Sequence, residues 1–174
     1  MIPKHFIKKI NGLNVIFVPF KTNTTSISLT FNIGYFDENN KETGITHFIE
    51  HLIATSMREG KIMTEYQKKG IYIEANASTS LFFTNYYLNS DGKYSIQILK
   101  LLIKSFLDFK VPYTFLERER KSVIVEMSKK MSDPIDKTFS IELIKSLFKN
   151  NRLIRDPKKH IDNIYNITPD DLLN

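Results

Sequence analysis

The sequence has no cysteine and no tryptophan in its 174 residues. Without thiols there is no disulfide framework and no thiolate metal site, so any zinc would have to be held by His and carboxylate groups. Glycine and proline are scarce, at six each, which argues against low-complexity segments. No continuous apolar run reaches the length of a membrane span. The start, Met1-Ile2-Pro3-Lys4-His5, has no signal-peptide hydrophobic region, so the chain reads as cytoplasmic.

Composition is that of an ordinary globular protein, with 41% hydrophobic and 25% charged residues, and the length suits one domain with a real core. Net charge is +6, which raises the question of a nucleic-acid partner. Lys and Arg are spread along the chain among Glu and Asp, however. There is no RNA-binding aromatic signature and no zinc-finger spacing. A lysine-rich solvated surface is the simpler reading, and neither a nucleic-acid nor a membrane partner is expected.

The N-terminal third has strand patterning. Residues 5–10 and 13–20 flank Asn11-Gly12, a type I′ hairpin signal because both turn positions need positive φ. Ile27, Leu29, Phe31 and Ile33 then alternate with Ser26, Ser28, Thr30 and Asn32, which predicts a strand with one covered face. Further strands are predicted at 71–79 and 81–89, the second rich in aromatics. Helices are predicted from Thr43 to Ser56, from a Thr64/Gln67 capping box to Gly70, and over 94–109 as a wholly buried helix that Pro112 ends. A Thr114/Glu117 capping box opens another to Lys130, and one more falls near 136–149 beyond Ser132-Asp133-Pro134. Thr168-Pro169-Asp170-Asp171 reads as a helix start three residues from the end, as though the polypeptide were cut short. The fold class is α+β, an antiparallel-rich mixed sheet with helices on one face.

Within the first of these helices lies His47-Phe48-Ile49-Glu50-His51, or H-x-x-E-H. Two His four apart lie about 40° apart on a helix, so one metal ion can reach both. Glu50, one residue before the second His, can take a proton from a water beside that metal. A catalytic zinc needs a third protein ligand. His5 and His160 qualify by residue type, but Glu119 and Glu126 are stronger: seven apart, they project from one helix face. One could ligate while the other supports from behind; the bland alternative is ion pairing with Arg118, Arg120, Lys129 and Lys130.

The H-x-x-E-H stretch, followed by Glu119-Arg120-Lys121-Ser122-Val123-Ile124-Val125-Glu126, resembles the insulinase/pitrilysin family of zinc metallopeptidases, in which a glutamate pair seven apart follows the motif by about 70 residues. Gly34, Gly44-Ile45-Thr46, Asn76-Ala77 and Ile167-Thr168-Pro169-Asp170-Asp171-Leu172 also fall where such proteins have similar residues. The resemblance implies Zn²⁺ held by His47, His51 and Glu126, with Glu50 as general base and Glu119 supporting the site. Asn76 and Ala77 would lie on the strand that holds an extended peptide substrate. Residues 1–174 would be a single N-terminal domain, because such enzymes are built of two halves that close over the substrate. A second homologous domain or subunit is therefore implied. The expected activity is metal-assisted peptide hydrolysis. A peptide-binding or scaffold subunit that does not cut is the alternative, and a basic nucleic-acid-binding domain the remotest reading.

Overall fold

A computed structural model describes residues 3–39, 42–110, 113–137, 142–147 and 157–172. The chain opens with strands β1 (Phe6–Ile10) and β2 (Leu13–Phe17), followed by β3 (Thr24–Phe31). Helices α1 (Ile45–Glu59) and α2 (Lys61–Lys68) come next, then strands β4 (Ile73–Thr79) and β5 (Thr84–Asp91). The rest is helical: α3 (Ser95–Leu107), α4 (Tyr113–Ser132), the short α5 (Pro134–Lys137) and α6 (Ile144–Leu147), and α7 (Pro157–Asn166). No described helix is long and apolar enough to cross a membrane.

The α+β architecture holds, and every described strand pairing is antiparallel. β3, β5 and β4 form one sheet in that order, with β5 central. The β1–β2 hairpin is a sheet of its own, closed at Asn11 (φ 49°) and Gly12 (φ 86°) as the Asn-Gly pair predicts. All ten residues of its strands are exposed, apolar Phe6, Ile7, Ile16 and Phe17 included, so alternation alone does not bring it into the main sheet.

In the main sheet the alternation is obeyed. Thr84, Tyr86, Leu88 and Ser90 of β5 point into the protein, with Ile73 of β4 beside them. The hydroxyls of Ser28 and Thr30 both donate to Asn85 Oδ1 on the open face. The covered face packs on α1, α2 and α3 through Ile53, Met57, Met63, Leu88, Ile98 and Leu102. A second apolar cluster joins the other side of α1 to α4 and α7: Phe48, Leu52, Leu116, Val123, Met127 and Ile164. Helix α1 therefore runs between two cores.

Several boundaries differ from expectation. Helix α2 starts at Lys61 rather than Thr64, whose hydroxyl donates back to Gly60 O at 3.2 Å instead of capping. Phe82 and Phe83 fall in the turn before β5 and are exposed. Helix α3 is amphipathic: Ile98, Leu101 and Leu102 are buried, whereas Ile96, Ile103 and Leu107 face outward. It ends at Leu107, and Pro112 lies outside the described residues. Thr114 is already inside α4, and Glu117 accepts from Arg120 Nε at 3.2 Å instead of closing a capping box. Of the helix expected over 136–149, two short pieces are described and 138–141 and 148–149 lie outside the described residues. Helix α7 was not foreseen. Its opening Pro157 sits at the first helical position, the same signal that was read only at Pro169. At Thr168 the N–H and hydroxyl both donate to Asp171 Oδ2, at 2.8 and 2.6 Å, and hold that carboxyl below its ordinary pKa.

Arg120 ties this half together. It is buried, donates from Nη1 to Ile164 O and from Nη2 to Ile167 O (2.7 Å), and stacks over Phe48. One α4 side chain thus caps the end of α7 while touching α1. Arg120→Met should lower unfolding free energy by about 2–4 kcal/mol, because two buried carbonyls lose their donors. Urea denaturation will measure this, and a change below about 0.5 kcal/mol would contradict the assigned role.

Candidate active site

Helix α1 starts without a Ser, Thr, Asp or Asn cap. Its first residues are held from a distance: Glu38 accepts from Gly44 N through Oε2 and from Thr46 N through Oε1, both at 2.9 Å. A carboxylate at a helix N-terminus is favoured by the exposed amides and the dipole. Gly44 takes φ 96°, a left-handed turn suited to glycine, and launches the helix. Sequence reading missed Glu38; its distance from the helix hid the cap.

His47, Glu50 and His51 then share one face of α1, and α4 presents Glu119 and Glu126 to it. His51 Nε2 lies 3.2 Å from Glu126 Oε2, and His47 Nε2 lies 3.6 Å from the same oxygen. Glu119 Oε2 is 3.3 Å from His51 Nδ1, on the opposite side of that ring. Glu50 Oε2 stands 4.0 Å from His47 Nε2 and accepts from Thr79 Oγ1 at 3.1 Å. Thr79, on the inner face of β4, is a further site residue that sequence reading passed over. His5, offered by residue type as a ligand, is remote and exposed, with its Nδ1 at 3.0 Å from Pro3 O. His160 is buried against His47, with ring centroids 5.5 Å apart.

The electrostatics follow from this crowding. Burial works against a charged His51, but the hydrogen bond to Glu126, the charge of Glu50 and the Glu119 contact outweigh it and raise the His51 pKa above 6.5. The two imidazoles, with Lys130 Nζ at 2.6 Å from Oε1, hold the Glu126 carboxyl far below the usual range. Arg118 is shared between Glu119 Oε1 (3.4 Å) and Glu59 on α1 (2.9 Å), a second link between the two helices.

Donor atoms from His47, His51 and Glu126 lie within 4.8 Å of one another. Ligands bound tetrahedrally to zinc at 2.0–2.1 Å lie about 3.3 Å apart, close to the 3.2 and 3.6 Å spacings found here. Two imidazoles and a carboxylate without sulfur are also a donor set zinc accepts. A cleft of about 370 Å³ opens over these atoms, bounded by Asn76, Ala77 and Thr79 of β4. Among the described residues β4 pairs only with β5, so its other edge is free. Ser80 N donates to Phe83 O at 2.9 Å, and this sets the ladder's phase. With Ala77 opposite Tyr86, the main-chain groups of Ala75, Ala77 and Thr79 turn toward the free edge. Asn76 Oδ1 accepts from the Ala77 N–H at 2.9 Å.

Comparison with known proteins gives the family and the fold. Residues 17–156 match the family model described as Insulinase (Peptidase family M16). The beta subunit of the mitochondrial-processing peptidase of Saccharomyces cerevisiae is 31% identical over 169 residues, which cover 93% of this chain and 35% of that protein. The zinc protease PqqE of Helicobacter pylori is 33% identical over 94 residues, 51% of this chain and 21% of that protein. The chain thus spans about a third or less of the length of these curated relatives. Among solved structures, a protease from Helicobacter pylori shares the fold with a TM-score of 0.82 at 24% identity, over 98% of this chain and 42% of that one. The first half of the periplasmic protease PqqL of Escherichia coli gives 0.77 at 20% identity, over 99% and 40%. The chain is a member of the insulinase family, peptidase family M16.

Proposed function

We propose that this chain is the metal-bearing domain of a zinc metalloendopeptidase that cuts extended peptides. The observation that carries the reading is the convergence of His47 Nε2 and His51 Nε2 on Glu126 Oε2, at 3.6 and 3.2 Å, with the Glu50 carboxylate beside them. His47, His51 and Glu126 hold Zn²⁺. The ion supplies Lewis-acid polarisation of the scissile carbonyl and of the attacking water. Glu119 fixes His51 through Nδ1 so that Nε2 faces Glu126. Glu50, oriented by Thr79, takes the proton from the attacking water and passes it to the leaving amine.

Substrate binding falls to the free edge of β4. An extended peptide adding to that edge would pair with the outward main-chain groups of Ala75, Ala77 and Thr79, and one of its carbonyls would replace Asn76 Oδ1 on the Ala77 N–H. Main-chain pairing demands little of the peptide's sequence. The cleft is open to water, and a second homologous half, as a further domain or a subunit, would close it over the substrate. The same free edge also favours a second reading, a peptide-binding subunit that does not cut.

The deciding experiment measures zinc by elemental analysis and chelator-sensitive cleavage of an unfolded peptide, with and without a second homologous half. Stoichiometric zinc and cleavage are expected. Zinc without cleavage in either setting would favour the binding subunit, and absence of zinc would end the metal reading. Glu50→Gln should keep its zinc and lose turnover by about 100-fold or more, whereas His51→Ala should lose zinc. Equal metal content in wild type and His51→Ala would contradict the ligand assignment. Zinc affinity should also fall between about pH 8 and pH 6, because zinc must displace a proton that His51 holds above its ordinary pKa. Competition with a chromophoric chelator will read this, and a flat profile would contradict it.

A further inference from the structure

The two imidazoles of the site are held in different ways. His51 has a carboxylate behind it, with Glu119 Oε2 at 3.3 Å from Nδ1. His47 Nδ1 is buried and has no hydrogen-bond partner among the described residues. A metal-bound imidazole is normally oriented through its other nitrogen. Here that constraint is missing, and χ2 of a His side chain is broad and nearly two-fold, so the bare torsion would leave the ring free to turn.

What meets the His47 ring instead is a set of other rings. Tyr35 lies 6.2 Å away at 70° and His160 lies 5.5 Å away at 86°. Tyr35 and His160 also meet each other, at 6.4 Å and 67°, so the three rings form a closed triangle. His47 is 4% exposed and His160 2%, so both are packed from all sides. The backbone is shaped for this contact. A Cβ on Gly44 would stand 2.3 Å from His160 Cδ2, so the ring occupies the space a side chain would fill above the first turn of α1. Asn163, three residues on along α7, donates from Nδ2 to Thr43 O at 3.1 Å and pins α7 at the same place. Tyr35 is anchored independently, by its N–H to Ser80 O at 3.0 Å.

We infer that His160 and Tyr35 are positioning residues that fix the plane of the His47 ring by packing, in place of the missing Nδ1 hydrogen bond, and so keep Nε2 aimed at the metal. Neither belongs to the His47, His51 and Glu126 donor set, although Tyr35 also lines the cleft. Their effect is exerted on one ligand, and it is the shape of a flat ring that matters rather than its nitrogens. The inference rests on the metal centre proposed above.

The test uses the full chain with His160→Ala, His160→Phe, Tyr35→Ala and Tyr35→Phe. Zinc dissociation constants come from chelator competition, the ligand field from the visible spectrum of Co²⁺, and the metal-free fold from thermal melting. His160→Ala and Tyr35→Ala should weaken zinc by about 10- to 100-fold and alter the Co²⁺ spectrum. The two Phe variants, which keep a flat ring, should stay within about threefold of wild type. A purely structural role would lower the melting temperature of the Ala variants and leave zinc affinity, measured well below melting, where it was. That result, or a Phe variant as weak as its Ala counterpart, would overturn the inference. If His160→Ala fails to fold, the Tyr35 pair decides alone, since Tyr35 is not fully buried and lies outside both apolar clusters. Wild-type protein that binds no zinc overturns the metal centre and this inference together; zinc bound equally by all five proteins overturns only the inference.

Discussion

Helix α1 has apolar side chains on two faces at once. Ile53, Ala54 and Met57 pack toward the sheet and α3, while Phe48 and Leu52 pack toward α4 and α7. Only a strip between these faces is left for polar groups, and His47, Glu50 and His51 stand on it. The two cores therefore set the helix in depth and rotation before any ligand geometry is considered. Buried packing of this kind is dense and does not slide continuously, so the strip stays where it is.

The opposing face comes from α4, and its alignment has a similar origin. Leu116, Val123 and Met127 lie on one side of α4 and enter the second core, and Arg120 closes the interface by holding carbonyls at the end of α7. Glu119 and Glu126 then reach the two imidazoles from the neighbouring face. A charged guanidinium next to a carboxylate cluster also makes chemical sense. Arg120 and Arg118 are positive charges 3.2 and 3.4 Å from Glu117 and Glu119.

Charge within the site is balanced in one direction. Three carboxylates, Glu50, Glu119 and Glu126, surround two imidazoles, and the imidazole of His51 responds by holding its proton. A divalent cation would meet that excess of negative charge directly. Thr79 and Asn76 add neutral polar groups at the cleft's rim without altering it. The open edge of β4 beside this charge puts a strand-pairing surface and an acidic, metal-competent cluster within one cleft.

Much of this was legible in the residues. The Asn11-Gly12 turn, the alternation in β3, the α1 stripe and the seven-residue spacing of the glutamates are local signals, and local signals survive folding when packing agrees with them. The His-x-x-Glu-His spacing, with Glu119 and Glu126 following, carries the resemblance to the insulinase family, and helix geometry puts residues of that spacing on one face. Other features were beyond local reading. Glu38 caps a helix six residues downstream, Thr79 meets Glu50 only once β4 lies along α1, and the ring of His160 fills the space above Gly44 from more than a hundred residues away. The exposure of the β1–β2 hairpin was equally hidden, since alternation says which side chains share a face and not whether anything covers it. The sequence alone determined which chemical groups are present and which share a helix face. Which of them meet across helices, and which ring holds which, was decided by the packing of two cores against α1, because contacts between distant segments depend on how side-chain volumes fit.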